Sequence, residues 1–198
     1  MKRLAAGIVA AAALAVLAAP GQTQSMSDSF NFLKAVRERD GAKVSSIIAT
    51  PGSVAINAKD RSTGDSGLHM VVRDRDLTWL AYLLGKGAKI DSQNGEGLTP
   101  LTLAAQLGWA EGAELLLRRG ASVDLPNNRG ETPLIYAVHR RDLAMVRLLV
   151  DSGANPKRPD NVAGYSALDY AKKDQRSAAI VKLLETPVKT KEVAGPVR

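Results

Sequence analysis

Glycines recur in this chain at a fixed interval, and that interval constrains the fold more than any other feature of the sequence. One series comprises Gly64, Gly97, Gly130 and Gly164, and its last step is slightly longer than the others. A second series, with the regular step of the first, comprises Gly87, Gly120 and Gly153. Two series in one register indicate a structural unit of about 33 residues that is repeated along the chain.

The segments between the glycines repeat as well. Residues 97–105 read Gly-Leu-Thr-Pro-Leu-Thr-Leu-Ala-Ala, and residues 130–138 read Gly-Glu-Thr-Pro-Leu-Ile-Tyr-Ala-Val. More degenerate copies occupy residues 64–72 and 164–172. An apolar, leucine-containing segment follows each copy, at residues 79–84, 113–117, 145–149 and 180–184. The pattern predicts two short helices per unit, which must stack on neighbouring units because one unit cannot bury its apolar face alone.

The residue types at the start and end of each predicted helix fit this interpretation. Thr99 and Thr132 are placed where a side-chain oxygen can cap a helix N-terminus. Pro100 and Pro133 follow at the first helical position, where a missing backbone N–H costs nothing. Gly120 comes directly after the second helix of its unit, where a left-handed residue ends a helix.

The repeated sequence motif resembles that of the ankyrin repeat family, whose hallmark is Gly-x-Thr-Pro-Leu-His-x-Ala-Ala followed by Leu-Leu-Leu and Gly-Ala. The resemblance covers residues 29–185. It implies an all-α repeat fold, an ankyrin-type solenoid of about five helix-turn-helix repeats with β-turn fingers. Within a domain at residues 26–185, we predict repeats at 29–60, 61–93, 94–126, 127–160 and 161–185. The first and last depart from the consensus in the way of capping repeats, and residues 186–198 are predicted to be a disordered tail.

The N-terminal 25 residues have the pattern of a secretory signal peptide. Lys2 and Arg3 form a basic start, and an uncharged apolar run from Leu4 to Ala19 follows. This run is shorter than the roughly 20 residues that cross a bilayer comfortably. We therefore expect a periplasmic or secreted protein, with cleavage before Gln22 or before residue 26. An uncleaved membrane anchor is the alternative.

Composition and motifs argue against catalysis. The chain of 198 residues has no cysteine, which excludes disulfides, thiolate metal sites and a cysteine nucleophile. His69 lies at the histidine position of the family hallmark, which implies a bracing role between adjacent turns. His139 is followed by Arg140 and Arg141, and this cationic neighbourhood disfavours metal binding. No metal-ligand spacing, hydrolase elbow or phosphate-binding loop occurs. We predict a protein that is not an enzyme and has no cofactor or metal.

The family binds partners through the concave side of the stack, which is formed by the finger tips and the exposed flank of each first helix. By register, the resemblance implies nine partner-binding positions: Arg73, Leu98, Gln106, Leu107, Arg129, Glu131, His139, Arg140 and Tyr165. The same rule also selects Thr63, Asp65, Asp74, Glu96 and Lys173.

Apolar side chains at such positions suggest binding anchors, and Leu98, Leu107 and Tyr165 are the examples here. The alternative for the two leucines is that they cover each other within the stack. We expect Trp109 to lie at a surface edge of the helix turn and Trp79 to lie in the core.

The expected partner is another protein of unknown identity, bound by a monomer. The formal net charge of +7 includes Lys2 and Arg3, and basic and acidic residues are interleaved along the chain. Such a mixed surface is not the single-sign stripe of a nucleic-acid-binding protein, so no specific nucleic acid is expected. We expect membrane contact only if the export signal is retained. The alternatives are binding to an anionic polymer or membrane surface, and a secreted factor that acts on another cell.

Overall fold

Ten α-helices, arranged as five helix pairs, make up the part of the chain that this computed structural model describes, residues 20–186. The pairs are α1 (Pro20–Glu38) with α2 (Gly41–Ala49), α3 (Gly67–Arg73) with α4 (Leu77–Gly85), α5 (Pro100–Leu107) with α6 (Ala110–Arg118), α7 (Pro133–His139) with α8 (Leu143–Asp151), and α9 (Ala167–Lys173) with α10 (Ala178–Glu185). Short 3₁₀ turns at Ala55–Asn57 and Gln175–Ser177 precede α3 and α10. The predicted all-α repeat fold is confirmed.

The predicted boundaries can be compared with the helices at both ends of the stack. α1 begins at Pro20, inside the segment assigned to the export signal, and among its side chains from residue 27 onward the first buried one is Phe32. α10 ends at Glu185, where the repeat domain was predicted to end. Residues 1–19 of the predicted signal and residues 187–198 of the predicted tail lie outside the described residues. The start of the domain at residue 26 therefore stays a prediction.

The helices form two layers. The first helices of the pairs contact one another in chain order, from α1 through α3, α5 and α7 to α9. The second helices form the other layer, in which α4 contacts α6, α6 contacts α8 and α8 contacts α10. One large apolar residue per unit fills the space between the layers at equivalent positions: Phe32, Leu68, Leu101, Leu134 and Leu168. The core is therefore one continuous row.

Side-chain caps fix where the helices begin. The Thr99 hydroxyl accepts a hydrogen bond from the Thr102 N–H at 3.1 Å, and Pro100 follows at the first helical position. Aspartates cap second helices in the same way, since Asp76 accepts from the Trp79 N–H and Asp142 from the Met145 N–H, both at 2.9 Å.

Trp109 occupies this capping position in unit three, and the expectation that it lies at the surface is wrong. Only 6% of its surface is exposed. The indole ring fills the space over Gly112, where an added Cβ would lie 2.1 Å from the ring. The glycine therefore creates the pocket that buries the tryptophan. Trp79, expected in the core, is partly buried and packs against it.

A turn precedes α3, α5, α7 and α9, and we call these four turns the fingers. Each begins with an aspartate or asparagine whose side-chain oxygen accepts backbone N–H bonds of its own turn: Asp60, Asn94, Asn127 and Asp160. Backbone bonds join consecutive fingers, from the Gly95 N–H to the Thr63 carbonyl at 2.9 Å, from Asn128 to Glu96 at 3.1 Å and from Asn161 to Arg129 at 2.8 Å.

Close approach between fingers explains the first glycine series. Gly97 has a φ of 78°, and an added Cβ would lie 2.6 Å from the Asn128 backbone nitrogen of the next finger. Gly164 has a similar φ of 69°, but it belongs to the last finger and an added Cβ would meet nothing within 4 Å. Gly97 must therefore be glycine both because of its positive φ and because the next finger lies so close, whereas at Gly164 only the positive φ favours glycine.

His69 braces units two and three, as its position in the family hallmark implies. The ring is fully buried, and Nδ1 accepts a hydrogen bond from the Ser66 N–H at 3.2 Å. Nε2 therefore carries the proton and donates it to the Leu98 carbonyl of the next finger at 2.8 Å. Burial lowers the pKa of His69 below its ordinary value, because a charged imidazole would lose its hydration.

Glycine substitutions test the link between fingers. We expect Gly97→Ala to lower the free energy of unfolding by about 2–4 kcal/mol, since it combines backbone strain with overlap of the next finger. Gly164→Ala is the matched control and should cost only the left-handed strain of about 1–2 kcal/mol. Urea denaturation measures both values. Equal losses would contradict the role given to the finger contact.

Acid sensitivity between pH 7.5 and 5 tests the His69 brace. The unfolded chain takes up a proton on this histidine near pH 6.5, whereas the folded chain does so only at lower pH. Stability is therefore fully present above pH 6.5 and falls as the pH drops from there towards the folded pKa. We expect His69→Gln to be less stable at pH 7.5 and to lose this pH dependence. His139→Gln should retain it; a wild-type protein equally stable at both pH values would refute the assignment.

Candidate partner-binding surface

The finger tips and the exposed flanks of α3, α5, α7 and α9 form one side of the stack, which we call the finger face. Of the nine predicted positions, five are exposed: Arg73, Gln106, Arg129, His139 and Arg140. Three are partly buried: Leu107, Glu131 and Tyr165. The remaining position, Leu98, is closed to solvent.

Leu98 is therefore wrong as a solvent-facing anchor, since only 2% of its surface is exposed. Its backbone explains the burial. The Leu98 N–H donates to the Asn94 side-chain oxygen at 3.0 Å, and its carbonyl accepts from His69, so the residue is held between two units. Leu107 is also partly withdrawn, because it packs against the core.

In unit two the predicted polar positions are already occupied by partners within the protein. Arg73 forms an ion pair with the buried Asp65 at 3.0 Å, and the Asn94 side chain donates to the same carboxylate at 2.9 Å. Asp74 pairs with Arg39 of unit one at 2.7 Å. These side chains stabilise the stack, so the charges of Arg73, Asp65 and Asp74 are less available to a partner.

Arginines at the ends of the first helices also link neighbouring units. Arg75 donates to the Leu107 carbonyl at 2.8 Å, and Arg140 donates to the Gln106 carbonyl at 3.2 Å. Arg140 runs beside Gly108, where an added Cβ would lie 2.8 Å from the guanidinium. The guanidinium of Arg140 is thus held in place by backbone rather than by an acidic side chain.

Aromatic rings cluster on the finger face of units four and five. The rings of His139 and Tyr170 lie 4.4 Å apart, and Tyr170 meets Tyr165 edge to face at 5.6 Å. The Lys173 ammonium lies 3.3 Å from the centre of the Tyr165 ring, a cation–π contact. We call these four residues the aromatic cluster. Its members support one another, which lowers the entropy lost when a partner immobilises them.

A shallow cleft of about 360 Å³ lies beside the aromatic cluster, between α7 and α9. The residues that line it are Val138, His139, Arg141, Tyr170, Lys173 and Asp174. Arg141 and Asp174 form an ion pair across it. This pair, together with a hydrogen bond from the Arg176 N–H, lowers the pKa of Asp174 to about 2, so the carboxylate stays charged at any physiological pH.

The tyrosine hydroxyls of these two units are tied to the fingers. Tyr170 donates to the buried Asp160 carboxylate at 2.5 Å, and this hydrogen bond, with burial, raises the pKa of Tyr170 to about 12. Tyr136 donates to Glu131 at 2.9 Å. Burial, as the larger cause, and this hydrogen bond together raise the pKa of Tyr136 to about 12 as well. Both tyrosines therefore remain protonated donors, and Glu131 is engaged within its own unit.

Basic side chains without a close ion-pair partner lie on the same part of the face, although Asp169 still interacts electrostatically with Lys173. Within the described residues, neither Arg140 nor Lys173 has a carboxylate within 4 Å. Arg129 has one, at 3.7 Å from Glu131. Residues 127–185 carry ten Lys and Arg against seven Asp and Glu, a net charge of +3, whereas residues 61–126 carry seven against eight, a net charge of −1.

Sequence reasoning missed Tyr170 as a member of this surface. Tyr136 and Tyr170 follow the helix caps of units four and five at the same interval, where units two and three have Met70 and Leu103. That shared position could have identified both tyrosines. Sequence reasoning also missed that the first residue of each finger recurs as aspartate or asparagine, with Asp160 as the acceptor for Tyr170.

The described residues contain no group of three or more histidine, aspartate and glutamate side chains that could hold a metal ion. Among the helices between residues 20 and 186, none combines the length and apolar character that crossing a bilayer requires.

The geometry defines a solenoid of helix pairs with linked fingers, and the sequence comparisons agree. The family described as "Ankyrin repeats (3 copies)" matches residues 68–160 and 126–191, more than half of the chain. The chain therefore belongs to the ankyrin repeat family, whose members are generally protein-interaction scaffolds and typically not catalysts. It is also similar to the potassium channel AKT1 of Arabidopsis thaliana, with 33% identity over 89 residues. That match covers 44% of this chain but about a tenth of the channel's length.

Removing one tyrosine hydroxyl tests the tie between the aromatic cluster and its finger. Tyr170→Phe leaves one oxygen of the buried Asp160 carboxylate without its donor, so we expect the free energy of unfolding to fall by about 1–2 kcal/mol. Tyr165→Phe is the control, since no hydrogen bond of that hydroxyl is found within residues 20–186, and it should change stability by less than about 0.5 kcal/mol. Urea titration distinguishes them; similar losses would rule out the special role of the Asp160 contact.

Proposed function

We propose that this protein is an exported, non-catalytic scaffold that binds a protein partner through the finger face of units four and five. The aromatic cluster is the observation that carries the proposal. Tyrosine and arginine side chains are typical of binding hot spots. The family's general role in protein interaction supports the same conclusion.

The contacts of the nine positions support a site centred on units four and five. Among the nine positions, Leu98 is buried and Arg73 is neutralised by Asp65, so neither is a strong anchor. His139 and Tyr165 belong to the aromatic cluster, and Arg140, which follows His139, has no ion-pair partner among the described residues. We therefore place the site on units four and five, with Gln106, Leu107, Arg129 and Glu131 at its edge.

Export rests on the N-terminal sequence. The basic Lys2 and Arg3 and the uncharged run from Leu4 to Ala19 have the composition that the secretion machinery recognises. We propose a periplasmic or secreted location, where the repeat domain acts as a monomer.

Cell fractionation tests the export proposal. Leu14→Arg places a charge in the middle of the apolar run, so we expect uncleaved protein to accumulate in the cytoplasm. Leu14→Val keeps the run apolar and should be exported like the wild type. The mass of the mature protein identifies the cleavage point. A cytoplasmic wild-type protein with its full N-terminus would end this part of the proposal.

Paired variants test the binding surface. The exported protein is cross-linked in intact cells, and the partners recovered with the wild type are then compared with those of variants and confirmed by direct binding of purified proteins. We expect the double variant His139→Ala, Tyr165→Ala to weaken binding at least about tenfold, the effect of about 1.4 kcal/mol at a hot spot. Leu143→Ala, on the outer helix α8, is the control. Equal binding by both variants would contradict the assigned surface.

Binding to an anionic polymer or membrane surface is a second candidate, favoured by the net positive charge of residues 127–185. Steep salt dependence together with indifference to His139 and Tyr165 substitutions would identify it. The ion pairs of Arg73, Arg129 and Arg141 weigh against it, because they reduce the positive charge that this face offers to an anion. A secreted factor that acts on another cell would use the same protein-binding surface.

A further inference from the structure

The row of fingers stops at unit one, which has no finger of its own within residues 20–186. In unit two a finger precedes Ser66, the residue that caps α3. The equivalent residue of unit one is Phe30, two positions before the core residue Phe32, but α1 is already helical there because it begins at Pro20. The side of the first finger that faces unit one therefore has no finger against it.

An open backbone donor marks that side of the first finger. In each contact between fingers, the second residue of the later finger donates its N–H to the finger before it, and these donors are Gly95, Asn128 and Asn161. The equivalent residue of the first finger is Arg61, whose N–H has no hydrogen-bond partner among the described residues. As at the edge of a β-sheet, an unpaired backbone group allows a segment of another protein to be added through main-chain hydrogen bonds.

A groove of about 730 Å³ lies beside this donor, between α1 and residues 59–62 at the start of the first finger. Phe30 and Leu33 line its α1 side. Phe30 is 69% exposed, more than any other large apolar side chain that the structure describes. An exposed apolar side chain that lines a groove is typical of binding sites, unlike one that stands alone on a surface.

Polar groups on the other side of the groove already have partners. The Asp60 carboxylate accepts hydrogen bonds from the Ser62 hydroxyl at 2.5 Å and from the Ser62 N–H at 2.9 Å. The Lys59 ammonium donates to the Gln93 carbonyl of the next unit at 2.5 Å. Because these groups are satisfied within the protein, the groove favours an apolar side chain over a bound ion.

The contacts between fingers also define which residue can follow the accepting carbonyl. A glycine comes directly after each acceptor, at Gly64, Gly97 and Gly130. An added Cβ at these glycines would lie 2.5–2.6 Å from the backbone nitrogen of the donor in the next finger. A segment that binds the Arg61 N–H in the same way therefore needs glycine at that position, since a Cβ there would overlap the Arg61 nitrogen.

We propose that a protein partner adds a turn to the unit-one end of the row of fingers. A backbone carbonyl of this turn accepts a hydrogen bond from the Arg61 N–H, the next residue is glycine, and a bulky apolar side chain nearby packs against Phe30 and Leu33. The turn continues a contact that the molecule already forms three times between its own fingers. This site goes beyond the proposed function, because it lies at the other end of the stack from the aromatic cluster.

Cyclic peptides that carry a finger-like turn test the proposal. The fluorescent probe contains Asp-Asn-Leu-Ala-Gly, and two matched peptides replace either its leucine or its glycine by alanine. Fluorescence anisotropy with the full mature chain gives the affinities. We expect each replacement to weaken binding at least about tenfold, because one removes the apolar contact and the other places a Cβ against Arg61. Equal affinities for the three peptides, or no measurable binding of the leucine peptide, would overturn the proposal.

Two substitutions at one position test the backbone contact. Arg61→Pro removes the N–H donor, whereas Arg61→Ala keeps the donor and removes the guanidinium. We expect Arg61→Pro to weaken binding of the leucine peptide about fivefold or more, and Arg61→Ala to have little effect. Equal losses in both variants would refute the backbone contact.

The apolar wall of the groove is tested in the same assay. Phe30→Ala should weaken binding of the leucine peptide at least about tenfold. Val162→Ala is the control, since Val162 is 64% exposed but belongs to the last finger. Similar affinities in these two variants would rule out the groove as the binding site.

Amide hydrogen exchange, measured by NMR on the wild type, requires no variant. In the free protein we expect the Arg61 N–H to exchange faster than the N–H groups of Gly95, Asn128 and Asn161, which are bonded to the finger before them. Saturation with the leucine peptide should slow exchange at Arg61 at least about tenfold and leave Asn128 unchanged. Exchange at Arg61 that stays the same when the peptide is bound would overturn the proposal.

A second copy of this chain is the competing occupant, because its last finger has the exposed Val162 shortly before Gly164. Analytical ultracentrifugation of the mature chain distinguishes the two, and we expect a monomer. A concentration-dependent assembly that Phe30→Ala and Val162→Arg both abolish would assign the groove to a second copy and overturn the partner proposal.

The two proposed sites are separated by the double variant His139→Ala, Tyr165→Ala, which should bind the leucine peptide like the wild type. Loss of peptide binding in that variant would contradict an independent site at unit one. Failure of the peptide tests, with the cross-linked partner still lost in the double variant, would refute the added turn and leave the proposed function intact.

Discussion

Backbone hydrogen bonds between consecutive fingers hold each repeat in the same relation to the one before it. Equivalent groups form each bond. The donor is the N–H of the second finger residue, and the acceptor is the carbonyl of the residue before the glycine in the previous finger, as in the bond from Gly95 to Thr63. Buried His69 adds a side-chain bond across the same gap in unit two. Because the bonds recur in each unit, residues about 33 positions apart in the chain lie side by side on neighbouring units. The composition of the finger face depends on this regular stacking.

Most polar side chains near the fingers are used for this assembly and not for a partner. Asp65 receives both Arg73 and Asn94, and Asp160 receives Tyr170 and three backbone N–H groups. Burial by itself would raise the pKa of Asp160, but these hydrogen bonds outweigh it and the pKa is lowered. The rings of His139 and Tyr165 and the ammonium of Lys173 take no part in these hydrogen bonds.

The exposure of Leu98 and Trp109 was predicted wrongly, and the reasons show what sequence patterns do not record. The family register predicted a solvent-facing Leu98, but the equivalent residues Asp65 and Glu131 are also buried or partly buried. Leu98 is held by Asn94 of its own finger and by His69 of the previous unit. Trp109 replaces the aspartate that caps the equivalent helix in units two and four, and Gly112 makes room for the ring. In both cases a contact partner decided the outcome. His69 and Asn94 stand at positions that the repeat marks, whereas Gly112 occurs in unit three and is replaced by Trp79 and Met145 in its neighbours.

The sequence alone determined the repeat length, the number of units, the helix boundaries set by threonine and proline, and the glycine positions. These are local properties of backbone conformation and helix capping, and equivalent residues encode them in each repeat. Only the tertiary structure decided which charges are neutralised and which rings meet. Some of these contacts join residues more than 30 positions apart, such as His139 with Tyr170 and Arg141 with Asp174. Others, such as Arg73 with Asp65, form within one unit but depend on how the finger packs against its helix.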